Sequence, residues 1–141
     1  MFEKIMVPVD MAHLDLLEPA LQVVADQARH YAAEVCYVAV TATTPGSVAH
    51  TPEEYQRKLE AFAQEQAGAH GQAATAHVIT SPDPVAELDD VLIDAVDAVG
   101  ADLVIMATHP PRHLDVVMPS HGGRVASHTR ASVFLVRPEY A

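Results

Sequence analysis

At 141 residues, half of them hydrophobic, the chain can bury a real core and reads as a single domain over 1–141. Nineteen acidic residues against eight basic ones give a formal charge of −11, which argues against nucleic acid or anionic lipid as a general partner, because phosphate binding needs clustered Lys and Arg. No apolar run reaches the ~18 residues that span a membrane, the start lacks the basic stretch of a signal peptide, and the lone Cys36 excludes a disulfide framework and a thiolate zinc site; a cytoplasmic protein without membrane insertion is the expectation.

Residues 3–9 (EKIMVPV) form a short apolar run that predicts a first strand, ending on Asp10. From His13 to Tyr31 a helical stripe carries Leu14, Leu17, Ala20, Leu21, Val24, Ala25 and Ala28. Pro19 within it fits only if the regular helix begins around Asp15 to Glu18, leaving the proline in the first turn. Glu34 to Thr41 reads as the second strand, and 42–51 as a loop. Thr51-Pro52-Glu53-Glu54 is a helix start: Thr51 as N-cap, proline at N1, and Glu54 at the capping-box position. The helix runs to about Ala69, with Tyr55, Leu59, Phe62, Ala63 and Gln66 inward, and Gly68 and Gly71 help to end it.

Ala74 to Thr80 predicts a third strand, and Ser81-Pro82-Asp83-Pro84 turns the chain into a helix that Gly100 closes. Residues 102–107 predict strand four, Ser120 caps a helix over roughly 121–130, and 132–137 is the last strand. Strict alternation of strands and helices implies an α/β fold: a parallel open sheet with right-handed crossovers and helices on both faces. In such a sheet the ligand crevice lies beyond the carboxyl ends of the strands, where the strand order reverses. If the first and fourth strands are neighbours there, Asp10 and the loop after Met106 face each other across a site.

The histidines at 109, 113, 121 and 128 lie close in sequence, yet none forms an H-E-x-x-H motif or a secure i, i+4 helical pair, so no metal site is expected. Arg112, Arg124 and Arg130 are the bases nearest the loop. No nucleophilic triad is legible, and Asp10 and His109 are the only candidate general bases for a slow ATPase. An enzyme is not the expected reading.

The segments I-M-V-P-V-D (5–10), D-L-V-I-M-A-T-H (102–109) and S-x-x-x-R-V (120–125), ahead of S-V-F-L-V-R (132–137), resemble the universal stress protein family over essentially the whole chain. The resemblance implies a five-stranded Rossmann-like sheet of the adenine-nucleotide alpha-hydrolase type, order 3-2-1-4-5. It implies a homodimer through residues 132–137 and a stress-response role. It also implies an adenine nucleotide, ATP or AMP, with Mg as a candidate companion of ATP. Carried over residue by residue, backbone groups of Pro8 and Val9 with Val40 alongside would meet adenine, and Asp10 would accept from the ribose hydroxyls. Met106, Ala107, His109 and Pro110 would line the ribose and phosphate path. Amides at Ser120, His121 and Gly122, with the Ser120 hydroxyl, would hold phosphates.

The family's loop glycines are Ala107, Pro110 and Pro119 here, and the spacer 111–118 is one residue shorter. Each proline removes an amide donor and fixes φ. Gly122 and Gly123 beside Ser120 offer close backbone approach instead, and the short spacer resembles a family branch that is itself associated with adenine nucleotides. The loop 110–119 is the candidate moving part of a nucleotide-driven switch. The alternative is a nucleotide-free interaction module of the same fold, acting through a protein partner such as a transporter or another stress protein.

Overall fold

The computed structural model describes residues 1–108 and 121–137, with the side chain of His121 left out. Five parallel strands form one sheet in the order β3-β2-β1-β4-β5. They are β1 (Lys4–Pro8), β2 (Glu34–Thr41), β3 (Ala74–Thr80), β4 (Leu103–Ala107) and β5 (Ser132–Val136). The connecting helices are α1 (Glu18–Tyr31), α2 (Pro52–His70), α3 (Pro84–Val99) and α4 (His121–His128), with a 3-10 helix over Met11–Leu17 between β1 and α1. The expected fold class and strand order are therefore observed.

Local chemistry sets the helix ends. Pro19 sits in the first turn of α1, as its fixed φ requires, and the 3-10 segment before it absorbs the residues that could not join a regular helix. Thr51 Oγ1 accepts from the Glu54 amide at 3.1 Å. The Glu54 carboxylate reaches back one residue further than a capping box does, to the amide of His50 at 3.1 Å. That amide, with Lys58 alongside, lowers the Glu54 pKa. Asp83 caps α3, while Gly71 and Gly100 close α2 and α3 in left-handed conformation. α4 stops at His128, two residues before the expected end.

Alternation of side chains along the strands divides the core into two layers. Ile5, Val7, Val35, Tyr37, Leu103 and Ile105 face α1 and α2. Met6, Cys36, Val38, Val104 and Met106 face α3 and α4, packed on Leu92, Val96 and Val125. Each fully buried Val, Leu or Ile contributes about 1.5–3 kcal/mol relative to exposure. Cys36 lies in the second layer as a small apolar side chain.

A carboxylate braces the centre of the sheet from below. Asp102 accepts from the amides of Glu3 at 2.9 Å and Lys4 at 3.1 Å, while its own amide donates to the Lys4 carbonyl at 3.0 Å. It joins β1 to the start of β4 before the ladder between them begins.

Candidate functional site

The site is built where β1 and β4 part. Their ladder holds at Ile5–Leu103 and Met6–Val104 and then stops. Each strand continues to pair with its outer neighbour, as far as Pro8–Val38 on one side and Ala107–Val136 on the other. Pro8 supplies the reason. The Lys4 carbonyl points to β4 and the Val9 amide to β2, so alternation aims the backbone of Pro8 at β4. There it has no N–H to donate. The sheet thus splits at its strand-order reversal, the position at which open α/β sheets bind ligands.

Asp10 stands at the mouth of this split, on the exposed N-cap of the 3-10 helix. One carboxylate oxygen accepts from the Ala12 amide at 3.0 Å, and the other pairs with His13 Nδ1 at 2.8 Å. A non-helical backbone at His13 (φ −135°, ψ 48°) breaks the segment where its ring meets Asp10. The carboxylate is held at two points, yet it has about four acceptor positions, so two remain for ligand hydroxyls. Tyr55 of α2 closes the same corner: its hydroxyl bonds the Met11 backbone, and burial raises its pKa, with the Asp10 charge adding to the rise. His13 and Tyr55 were not legible as site residues, although Asp-x-x-His directly after a strand end is a local signal for the first.

The other expected residues divide by face. The Val9 side chain is buried in the layer under α1 and α2, and its amide is engaged by the Val38 carbonyl at 2.8 Å. Val40 pairs with Ile79 and packs in the opposite layer. Met106 is buried in that second layer, and Ala107 packs against the first. Thr108 follows them and ties β4 to β5 through its amide, 2.9 Å from the Val136 carbonyl. Gly122 is buried in α4, where an added Cβ would lie 2.3 Å from Leu135 Cδ2. α4 therefore packs closely on β5 at this glycine, and a side chain there would make the end of Leu135 shift. Arg124 pairs with Asp90 of α3 at 2.8 Å, a bridge between two helices. His109, Pro110, Pro119 and Ser120, and with them the loop 110–119, lie outside the described residues, as does the His121 side chain.

Among the described residues, no group of three His, Cys, Asp or Glu side chains gathers to hold a metal ion. No described helix is long and apolar enough to cross a membrane.

The fold is shared with solved structures. A universal stress protein in complex with cAMP is 16% identical, with a TM-score of 0.72 over 96% of this chain and 97% of that one. One from Archaeoglobus fulgidus in complex with dAMP is 20% identical, with a TM-score of 0.65 over 94% and 96%. A family protein from Arabidopsis thaliana with AMP bound is 17% identical, with a TM-score of 0.64 over 97% and 92%. No curated protein matches the chain. The sequence model of the Universal stress protein family matches residues 1–137, nearly the whole length, and the chain belongs to that family.

Proposed function

We propose that this chain is a cytoplasmic, homodimeric regulatory protein that binds an adenine nucleotide, ATP or AMP, in the split between β1 and β4. The observation that carries this reading is the early end of the β1–β4 ladder, with the carboxylate of Asp10 fixed at its mouth. A vicinal diol needs two acceptors with fixed directions, and Asp10 keeps two after its bonds to Ala12 and His13. Solved relatives carrying cAMP, dAMP and AMP support an adenine nucleotide, and of these AMP has the free diol. In this reading Pro8, Val9 and Val40 surround the base, and Met106 and Ala107 line the sugar path. Ser120, His121 and Gly122 present amides to phosphate, with His109, Pro110 and Pro119 on the loop between. Mg would arrive with the phosphates of ATP. Output comes through a difference in nucleotide affinity between two states of the dimer.

A second reading has one observation in its favour. Gly122 packs closely on the end of the Leu135 side chain, a role that involves no phosphate. The chain would then act without nucleotide, through a protein partner such as a transporter or another stress protein.

Acid extraction of the purified, undialysed protein, followed by mass spectrometry, separates the two. Near-stoichiometric ATP, ADP or AMP supports the nucleotide site. No nucleotide, with no heat on titration with ATP or AMP, supports the partner module. Asp10→Ala is expected to weaken nucleotide binding about tenfold or more, as loss of charge-assisted hydrogen bonds requires, while the oligomeric state stays unchanged. Unchanged affinity by calorimetry removes Asp10 from the site.

A further inference from the structure

β3 is an edge strand, and its free side is occupied by a side chain. The Val35 amide donates to the Ala73 carbonyl and the Ser81 amide to the Thr41 carbonyl, so odd-numbered residues of this segment turn their backbone groups to β2. Ala74, Ala76, Val78 and Thr80 therefore turn theirs outward. Gln56, on α2, reaches that side. Its Nε2 donates to the Ala76 carbonyl at 3.1 Å, and its Oε1 accepts from the Val78 amide at 3.0 Å. One residue of a parallel neighbouring strand makes this same pair of bonds, one to the residue before its opposite number and one to the residue after. The opposite number here is His77. The second Nε2 hydrogen goes to Glu60 Oε1 at 2.9 Å, one helical turn on. These three contacts fix the amide's orientation. Flipped, its oxygen would face the Glu60 carboxylate and the Ala76 carbonyl, and its NH2 would face the Val78 N–H.

We infer that Gln56 is a strand surrogate that closes the β3 edge to a second copy of this chain. An all-parallel open sheet has a particular hazard. The β5 edge of one copy can continue onto the β3 edge of the next, in the same direction and without a closing symmetry axis. Head-to-tail contacts of that kind grow into open assemblies, whereas a two-fold β5–β5 contact closes at the dimer. An amide already seated on the middle of β3 blocks the first and leaves the second free. Closure of β3 stands on the geometry of Gln56. That β5 is the edge left for association rests on the dimer reading above.

The test uses the full chain, with Gln56→Met and Gln56→Asn. Methionine keeps the length and loses both hydrogen bonds. Asparagine keeps the amide and the polarity but is one methylene too short to reach. Hydrogen exchange at the Val78 amide is measured at a dilution where variant and wild type sediment alike, and sedimentation velocity is then run over rising concentration. The expected result is Val78 exchange at least tenfold faster in both variants, and species larger than the wild-type assembly that grow with concentration. Unchanged Val78 exchange overturns the surrogate role. Faster exchange with a wild-type sedimentation profile overturns the guard. A monomeric wild type sinks the dimer reading and leaves the guard to be judged on the variants alone.

Discussion

The two edges of the sheet are built on opposite terms. β3 is seven residues long, lies beside the nineteen-residue α2, and has Gln56 hydrogen-bonded to its outer backbone. β5 is five residues long and has the eight-residue α4 packed along one face. Ser132 and Phe134 point their backbones at β4, so Val133 and Leu135 turn theirs outward, and no bond among the described residues engages them. Phe134, in the middle of the strand, is 41% exposed, one of few large apolar side chains left so open among the described residues. Unpaired backbone beside an exposed aromatic is an edge that invites a partner, and the same sheet protects its other edge. The contrast leaves one end of the sheet, away from α2, open for the dimer proposed above.

Phe134→Asp attacks the open edge directly and carries the largest expected effect. In the proposed dimer, a two-fold axis centred on antiparallel β5 strands sets residue 134 opposite residue 134 of the other copy, so a charge there meets another charge. Self-association should weaken by two orders of magnitude or more, about 3 kcal/mol, as for loss of a central aromatic anchor. The fold should lose little, because the side chain is already half open. Light scattering across a dilution series checks this. An unchanged mass at every concentration places any association elsewhere and dissolves the contrast between the edges.

Gly122→Ala acts one layer behind the same edge. The new methyl group would press on the end of the Leu135 side chain, which must shift within its packing to make room. A loss of about 1–2 kcal/mol is expected, typical of overpacking, and urea denaturation reads it. The loss should appear at the β5 end, as faster exchange of the Leu135 amide with β3 unaffected. If nucleotide affinity falls while stability holds, Gly122 serves the ligand and not the helix packing.

Much of this was legible in the sequence, and particular residues show why. β2 and β3 fall at Glu34–Thr41 and Ala74–Thr80 as read, because apolar runs bounded by turn residues are local signals. The same holds for Thr51, Gly71 and Gly100, whose capping depends only on their immediate neighbours. Asp10 was legible as a strand-end acid, and the structure places it at the split. Gln56 was not, since its partners Ala76 and Val78 are some twenty residues away and meet it only after α2 packs beside β3. The clamp of His13 on Asp10 depends on a non-helical backbone that no periodicity reports. Gly122 read as room for phosphate because the sequence does not reveal that Leu135 lies under it. Gln56 and Gly122 escaped the sequence reading because the residues they meet are distant in the chain.

The smallest effect sharpens the protected side. Tyr37 on β2 is fully buried, stacks edge-on against Phe62 of α2, and accepts from Gln72 Nε2 at 2.8 Å, at the entrance to β3. Burial raises its pKa to about 12, offset in part by the Gln72 bond. The ordinary value of a tyrosine is 10.0, so the neutral phenol contributes stability that is fully present below about pH 10 and is lost as pH rises through about 12. Tyr37→Phe forfeits one neutral hydrogen bond, about 1 kcal/mol near pH 7, and has no phenol to ionise. Wild type should therefore lead by that margin at neutral pH, and the gap should close and then reverse between about pH 10 and pH 12. Tyr55, raised by burial as well, is common to both proteins and cancels in the difference. Exchange measured along this titration should show β3 amides opening before those of β5, because the ionising group lies next to β3 and three strands from β5. Simultaneous opening at both edges would mean that the sheet responds as a unit, and that the asymmetry is confined to the outer backbone where Gln56 sits.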